Sequence, residues 1–191
     1  MKIAVSGSHS VGKTTLVEWI SNFYGLPAIG EQARRLLYTK YSFSDIEKDL
    51  ELFKQFQSEI IADQMAIENE YESSFVVDRP FVDSLAYVEE RLCKDRDNDI
   101  SYLEKYRFKV FSLHKRNHYD LIIHLSPSKD IIMDDGNRNV NWIYVQMIDR
   151  LIDYYFHVIY GSNYSKYVLR VLSDNFEERT LSVQNRIGWM R

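Results

Sequence analysis

Gly7-Ser8-His9-Ser10-Val11-Gly12-Lys13-Thr14 fits the pattern G-x-x-x-x-G-K-[ST], and it stands between an apolar run, Ile3-Ala4-Val5, and a stretch with helical periodicity. That octapeptide limits the fold more than any other segment. Its glycines let the backbone curl so that successive N–H groups point inward at phosphate oxygens, and the following helix adds the partial positive charge of its N-terminus. Such a loop needs a strand to deliver it and a helix to leave it. Residues 7–15, ending with Thr15, are the expected cradle for the phosphates of ATP. Lys13 would bridge the β- and γ-phosphates, and the Thr14 hydroxyl would ligate Mg2+. From average residue frequencies, a chance match in 191 residues is on the order of one per cent. His9 reads as a loop residue only, because no other histidine is placed to pair with it.

The remaining chain repeats the same alternation. Apolar runs at 3–5, 27–30, 75–77, 121–125 and 167–172 predict buried strands, and three- and four-residue spacing of apolar side chains predicts helices over 13–23, 31–39, 45–72, 81–93, 100–116 and 141–160. Strands that alternate with helices imply crossovers, hence a three-layer α/β fold: a parallel five-stranded sheet with helices on both faces. The 191 residues suit one domain, with polar segments at 94–99 and 126–140 as its exposed loops. No apolar run approaches the ~20 residues of a membrane span. The N-terminus turns polar after three apolar residues, too early for a signal peptide, so a cytoplasmic protein is expected. The single cysteine, Cys93, has no partner for a disulfide or a metal site. A net charge of −4 disfavours nucleic acid as a partner, although Lys105, Arg107, Lys109, Lys115 and Arg116 make one stretch locally basic.

The third apolar run ends in Asp78-Arg79-Pro80. A carboxylate there can hold Mg2+ in the Walker B role, or it can cap the helix at 81–93. Arg79 replaces the Glu with which a motor ATPase polarises water, and no NKxD motif for guanine follows. An arginine beside the metal carboxylate suits phosphoryl transfer between two ligands, where positive charge must meet the migrating group.

Asp78-Arg79-Pro80-Phe81-Val82-Asp83-Ser84 resembles the [DE]-R-S-x-x-x-D segment of the deoxyribonucleoside kinases, with Pro80 in place of Ser, and Phe56-Gln57-Ser58 resembles their F-Q-[TS]. Glu31 falls where that family and the related nicotinamide riboside kinases carry an acidic residue. Asp134-Asp135-Gly136-Asn137-Arg138 resembles the D-G-x-R lid of the latter. The resemblance spans about residues 1–160 and implies a thymidylate-kinase-like fold that uses ATP and Mg2+. It further implies transfer of the γ-phosphoryl group to a hydroxyl of a nucleoside- or nucleotide-like acceptor, with Gln57 reading the edge of a base and Asp83 assisting it. Lys129 and Arg138 would close over the triphosphate and exclude water.

The residues also carry readings of their own. Gln57 falls on the apolar face of its helix, where an unsatisfied amide costs roughly 1–3 kcal/mol, so a ligand or a backbone group must meet it. Phe56 and Tyr87 can stack on a ring or fill the core. Glu31 is the candidate base that orients the acceptor hydroxyl and takes its proton; alternatively it favours the start of a helix. Arg34 and Arg35 lie one turn on, and one of them can bind a phosphate or carboxylate. Two other functions stay open: a kinase acting on a modified base, such as a hydroxymethyl pyrimidine, or on a terminus within DNA or RNA, and a P-loop ATPase with no acceptor. A homodimer is compatible with each.

Overall fold

The computed structural model describes residues 1–71, 73–94, 99–128 and 141–190. Five strands, β1 (Lys2–Ser6), β2 (Ala28–Ile29), β3 (Phe75–Asp78), β4 (Leu121–Leu125) and β5 (Val168–Val171), form one sheet in the order β2-β3-β1-β4-β5, and every pair is parallel. The helices are α1 (Lys13–Tyr24), α2 (Gln32–Thr39), α3 (Phe43–Lys48), α4 (Leu50–Glu70), α5 (Phe81–Lys94), α6 (Ile100–Asn117), α7 (Trp142–Tyr160), α8 (Tyr164–Tyr167) and α9 (Phe176–Gly188).

Successive strand side chains point to opposite faces, so β1 feeds two cores. Ile3 and Val5 pack with α1 and α9, while Ala4 packs with α2 through α7 on the other face. A strand buried on both faces must be apolar throughout, which is why β3 and β4 read as continuous runs rather than alternating ones. The register sets Val5 beside Asp78 of β3 and Ser6 beside His124 of β4. The carboxyl ends of β1, β3 and β4 therefore lie side by side, and the connection after β1 leads to β2 on one side while the one after β3 crosses to β4 on the other. That is the crevice where open α/β sheets bind ligands.

Three boundaries differ from expectation. The helix expected over 45–72 is two helices, because Asp49 adopts φ −118°, ψ 112° and its side chain accepts from the N–H groups of Glu51 and Leu52, capping α4. The last strand begins at Val168 after the short α8, which claims Tyr167. The unexpected α9 is capped by Asn175, whose side chain accepts from Glu178 N–H; it buries Arg179, Val183 and Ile187, one residue per turn. Among the described residues no helix is long and apolar enough to cross a membrane.

Candidate active site

The phosphate loop is shaped by what surrounds it. Gly7 has φ +139°, and a Cβ there would lie 2.6 Å from the Leu125 carbonyl oxygen, so a side chain would separate β4 from the loop. Gly12 has φ +85°, and its Cβ would lie 3.0 Å from Arg179 Nη1. Both positions require glycine. Ser8, His9 and Lys13 are buried. Lys13 Nζ donates to the Ser8 carbonyl at 2.6 Å, folding back over the loop. Burial, reinforced by the nearby Arg79 charge, pushes its ammonium down to about 7.

Thr14 Oγ1 donates to Asp78 Oδ2 at 2.6 Å, joining the first turn of α1 to the end of β3. Asp78 Oδ1 is buried without a hydrogen-bond partner, and burial pushes the carboxyl pKa up. A hydroxyl beside a carboxylate with an unspent oxygen fits Mg2+, an ion commonly held by one or two carboxylates together with substrate phosphates. Among the described residues no cluster of three or more His, Cys, Asp or Glu would hold a metal alone.

Arg79 follows with φ +84°, a left-handed conformation that costs about 1–3 kcal/mol in a non-glycine residue. Its surroundings over-determine it. The backbone N–H donates to Val5 O at 3.0 Å, and its carbonyl accepts from Gln64 Nε2 at 2.8 Å. Gln64 is itself held by Glu68, which also accepts from the Tyr119 hydroxyl. The guanidinium donates to Glu31 Oε1 at 2.8 Å and Gly7 O at 2.9 Å, and lies over the Tyr87 ring at 5.2 Å. Strained backbone thus aims a partly buried cation between the phosphate loop and an acidic residue.

Beside this group opens a cavity of about 200 Å3. Leu37, Phe53, Phe56 and Ile60 form an apolar wall, while Glu31, Gln57, Asp78, Arg79 and Tyr87 supply polar atoms. Gln57 is 5% exposed and its Oε1 has no hydrogen-bond partner. A buried acceptor left open at a cavity wall is a place for a ligand donor.

The sequence matches the model of the AAA_28 family, described as an AAA domain, over residues 2–179. The chain belongs to that family. Among curated proteins none matches it significantly. Solved structures show what fold this AAA domain takes. Deoxyadenosine kinase from M. mycoides with bound dCTP superposes with a TM-score of 0.70 at 17% identity, covering 98% of this chain and 99% of that one. The same enzyme with the products dCMP and a flexible dCDP gives 0.71 at 16% identity, covering 100% of both. NadR protein in complex with NR gives 0.67 at 19% identity over 98% of this chain and 51% of that one. The architecture is the P-loop nucleoside-kinase fold.

In this AAA domain the residues singled out from sequence separate into groups. Lys13, Thr14, Asp78, Arg79 and Glu31 come together around the loop, and Glu31, Phe56, Gln57, Tyr87 and His9 line the cavity. Asp78 does not cap α5, since its one bonded oxygen serves Thr14. Glu31 occupies the N-cap position of α2 yet makes no capping bond; its side chain, 6% exposed, faces Arg79. His9 is more than a loop residue, being buried against the Tyr144 ring at 5.7 Å.

Two placements correct the expectation. Asp83 does not reach the cavity: fully buried, it accepts from Ser6 Oγ at 2.5 Å, Gly7 N–H at 3.1 Å and Arg79 Nη1 at 3.4 Å. One helical turn beyond Arg79, it faces the sheet, so it braces the strand-to-loop junction instead of assisting Gln57. Arg34 is also outside the cavity, at 3.5 Å from Glu31 with its side chain 42% exposed. Arg138, Lys129, Asp134 and Asp135 lie outside the described residues. Sequence reasoning missed Arg179 altogether. Gln64 shares the buried face of α4 with Gln57, a placement that helical spacing can show without giving its partners.

Proposed function

We propose that this protein is an ATP-dependent kinase that transfers the γ-phosphoryl group to a hydroxyl of a nucleoside- or nucleotide-like acceptor held in the aromatic-walled cavity. The observation that carries the reading is the juxtaposition of the phosphate loop with that cavity, which share Asp78, Arg79 and His9 at their common wall. Donor and acceptor sites that meet at a partly buried cation suit transfer better than hydrolysis. A structural likeness to enzymes solved with dCTP, dCMP and NR supports the acceptor class.

On this reading the phosphates enter the loop, and Lys13 exchanges the Ser8 carbonyl for phosphate oxygens. Mg2+ held with the nucleotide by Thr14 and Asp78 would neutralise charge on the β- and γ-phosphates. Arg79 meets the charge of the migrating group, held in place by Glu31 and the Gly7 carbonyl. Glu31 orients the acceptor hydroxyl and takes its proton as the oxygen–phosphorus bond forms. Gln57 Oε1 accepts from a donor on the acceptor's base-like ring, with Phe56 and Tyr87 on its faces. Arg138 on the 126–140 segment supplies the closing charge, and a cytoplasmic setting is compatible with ATP as the donor.

Labelled ATP offered with nucleosides and nucleoside monophosphates, and separately with oligonucleotides, tests the proposal. Transfer to a free nucleoside or monophosphate is expected. Transfer confined to oligonucleotides would shift the acceptor to a polymer, and ATP turnover indifferent to every acceptor would overturn the kinase reading.

A further inference from the structure

Arg179 lies 168 positions from Val11 in sequence, yet its Nη1 donates to the Val11 carbonyl at 2.7 Å. Its Nε donates to the Ser173 carbonyl, also at 2.7 Å, on the turn that leads from β5 into α9. The residue is 3% exposed, and its Nη2 is buried with no hydrogen-bond partner. Among the described residues no carboxylate forms an ion pair with it. Burial pushes the guanidinium pKa down, with only partial relief from Asp174.

A residue that merely filled space here would not be an arginine. Val183 and Ile187 continue the same face of α9 into an apolar core, and an aliphatic side chain at 179 would extend it without burying a charge. A buried cation with no ion-pair partner costs stability unless something else compensates it, so its presence asks what does. The loop offers an answer. A P-loop presents its N–H groups to phosphate, and here the Val11 carbonyl of that loop is taken by Arg179, whose Nη1 also lies 3.0 Å from where a Gly12 Cβ would stand. The cation thus stands against the loop that would hold a polyanion, whose charge would offset its own.

We propose that Arg179 is a positioning residue for nucleotide binding: it pins the Val11–Gly12 turn to the C-terminal helix, and the phosphates of bound nucleotide compensate its buried charge. The proposal rests on the ATP-binding part of the function above. It also makes the loop incomplete without α9, so the C-terminal helix belongs to the nucleotide site and not only to the scaffold.

Calorimetric titration of the parent, Arg179→Met and Arg179→Gln with Mg·ATP tests it. Loss of a charge-assisted hydrogen bond and of the compensating charge should weaken ATP binding about tenfold or more in Arg179→Met. Arg179→Gln, which keeps one donor for the Val11 carbonyl, should lose less and guards against a Met variant that does not fold. In turnover the KM for ATP should rise while the acceptor KM at saturating ATP stays put. A purely structural residue would instead lower the active fraction and leave both KM values alone. ATP affinity within twofold of the parent in whichever variant folds overturns the proposal. A parent that fails to bind ATP sinks the nucleotide reading itself, and a parent that binds ATP but phosphorylates nothing sinks only the kinase reading.

Discussion

Lys13 connects the geometry of the phosphate loop to a measurable proton. Its ammonium is buried, donates to the Ser8 carbonyl and is pushed down to about 7 by burial and by Arg79. At pH 8 the free protein therefore holds Lys13 about nine-tenths neutral. A triphosphate placed against Lys13 adds negative charge and returns the pKa to the alkaline range, so binding should take up about 0.9 proton per site. The sign for affinity follows. Below about pH 7 the free protein already carries the charge and affinity is full; above it, each pH unit costs about tenfold until the bound-state pKa is reached. Between pH 6 and pH 9 the Kd for Mg·ATP should rise about 100-fold, or about 2.7 kcal/mol. The terminal phosphate is already ionised at pH 8 and should not mask the uptake. Calorimetry in two buffers of unlike ionisation enthalpy reads the protons directly, and Lys13→Arg, which stays charged throughout, is the control. For the unliganded protein the folded pKa lies below the unfolded one, so this group's contribution to stability should grow as pH rises from about 7 toward 10. Absence of proton uptake at pH 8 together with a flat affinity profile would refute the reasoning.

Other substitutions probe the remaining assignments. Glu31→Gln should slow single-turnover transfer by roughly 10²–10⁴-fold with ATP affinity nearly unchanged, and an undiminished rate would remove it from the proton's path. Gln57→Leu should leave the melting temperature unchanged or raised, because the Oε1 it deletes is unsatisfied, while acceptor use weakens by roughly 1–3 kcal/mol; equal acceptor affinity would exclude a ligand contact. Asp83→Asn disturbs acceptors of the Ser6 hydroxyl and Gly7 N–H, so stability should fall by about 1–3 kcal/mol and ATP should bind more weakly at constant acceptor preference. A changed acceptor preference in Asp83→Asn would restore its role beside Gln57.

The phosphate loop was legible because it is local: eight contiguous residues between an apolar run and a helical pattern specify its backbone almost without help from the fold. The strands were legible because a parallel sheet covered on both faces demands unbroken apolar runs, and the long helices because one face of each is apolar. Periodicity also placed Gln57 on a buried face. It could not say whether backbone or a cavity meets the amide, since a stripe reports which way a side chain points and not what lies opposite. The same limit misplaced Asp83: spacing set it one turn from Arg79 without showing what lies opposite, and the hydrogen bonds from Ser6 and Gly7 turn it to the loop. Asp49 broke a helix that its neighbours' spacing would have continued, because a side-chain cap competes with the backbone ladder on a margin of about 1 kcal/mol. The left-handed conformation of Arg79 and the placement of Arg179 belong to the tertiary structure. The left-handed turn of Arg79 is sustained by Gln64 and by β1, and Arg179 reaches Val11 only when β5 and α9 close the sheet. The sequence by itself determined where phosphate can bind. Which charges gather around that point was decided by contacts between residues far apart in the chain, whose pairing no local pattern encodes.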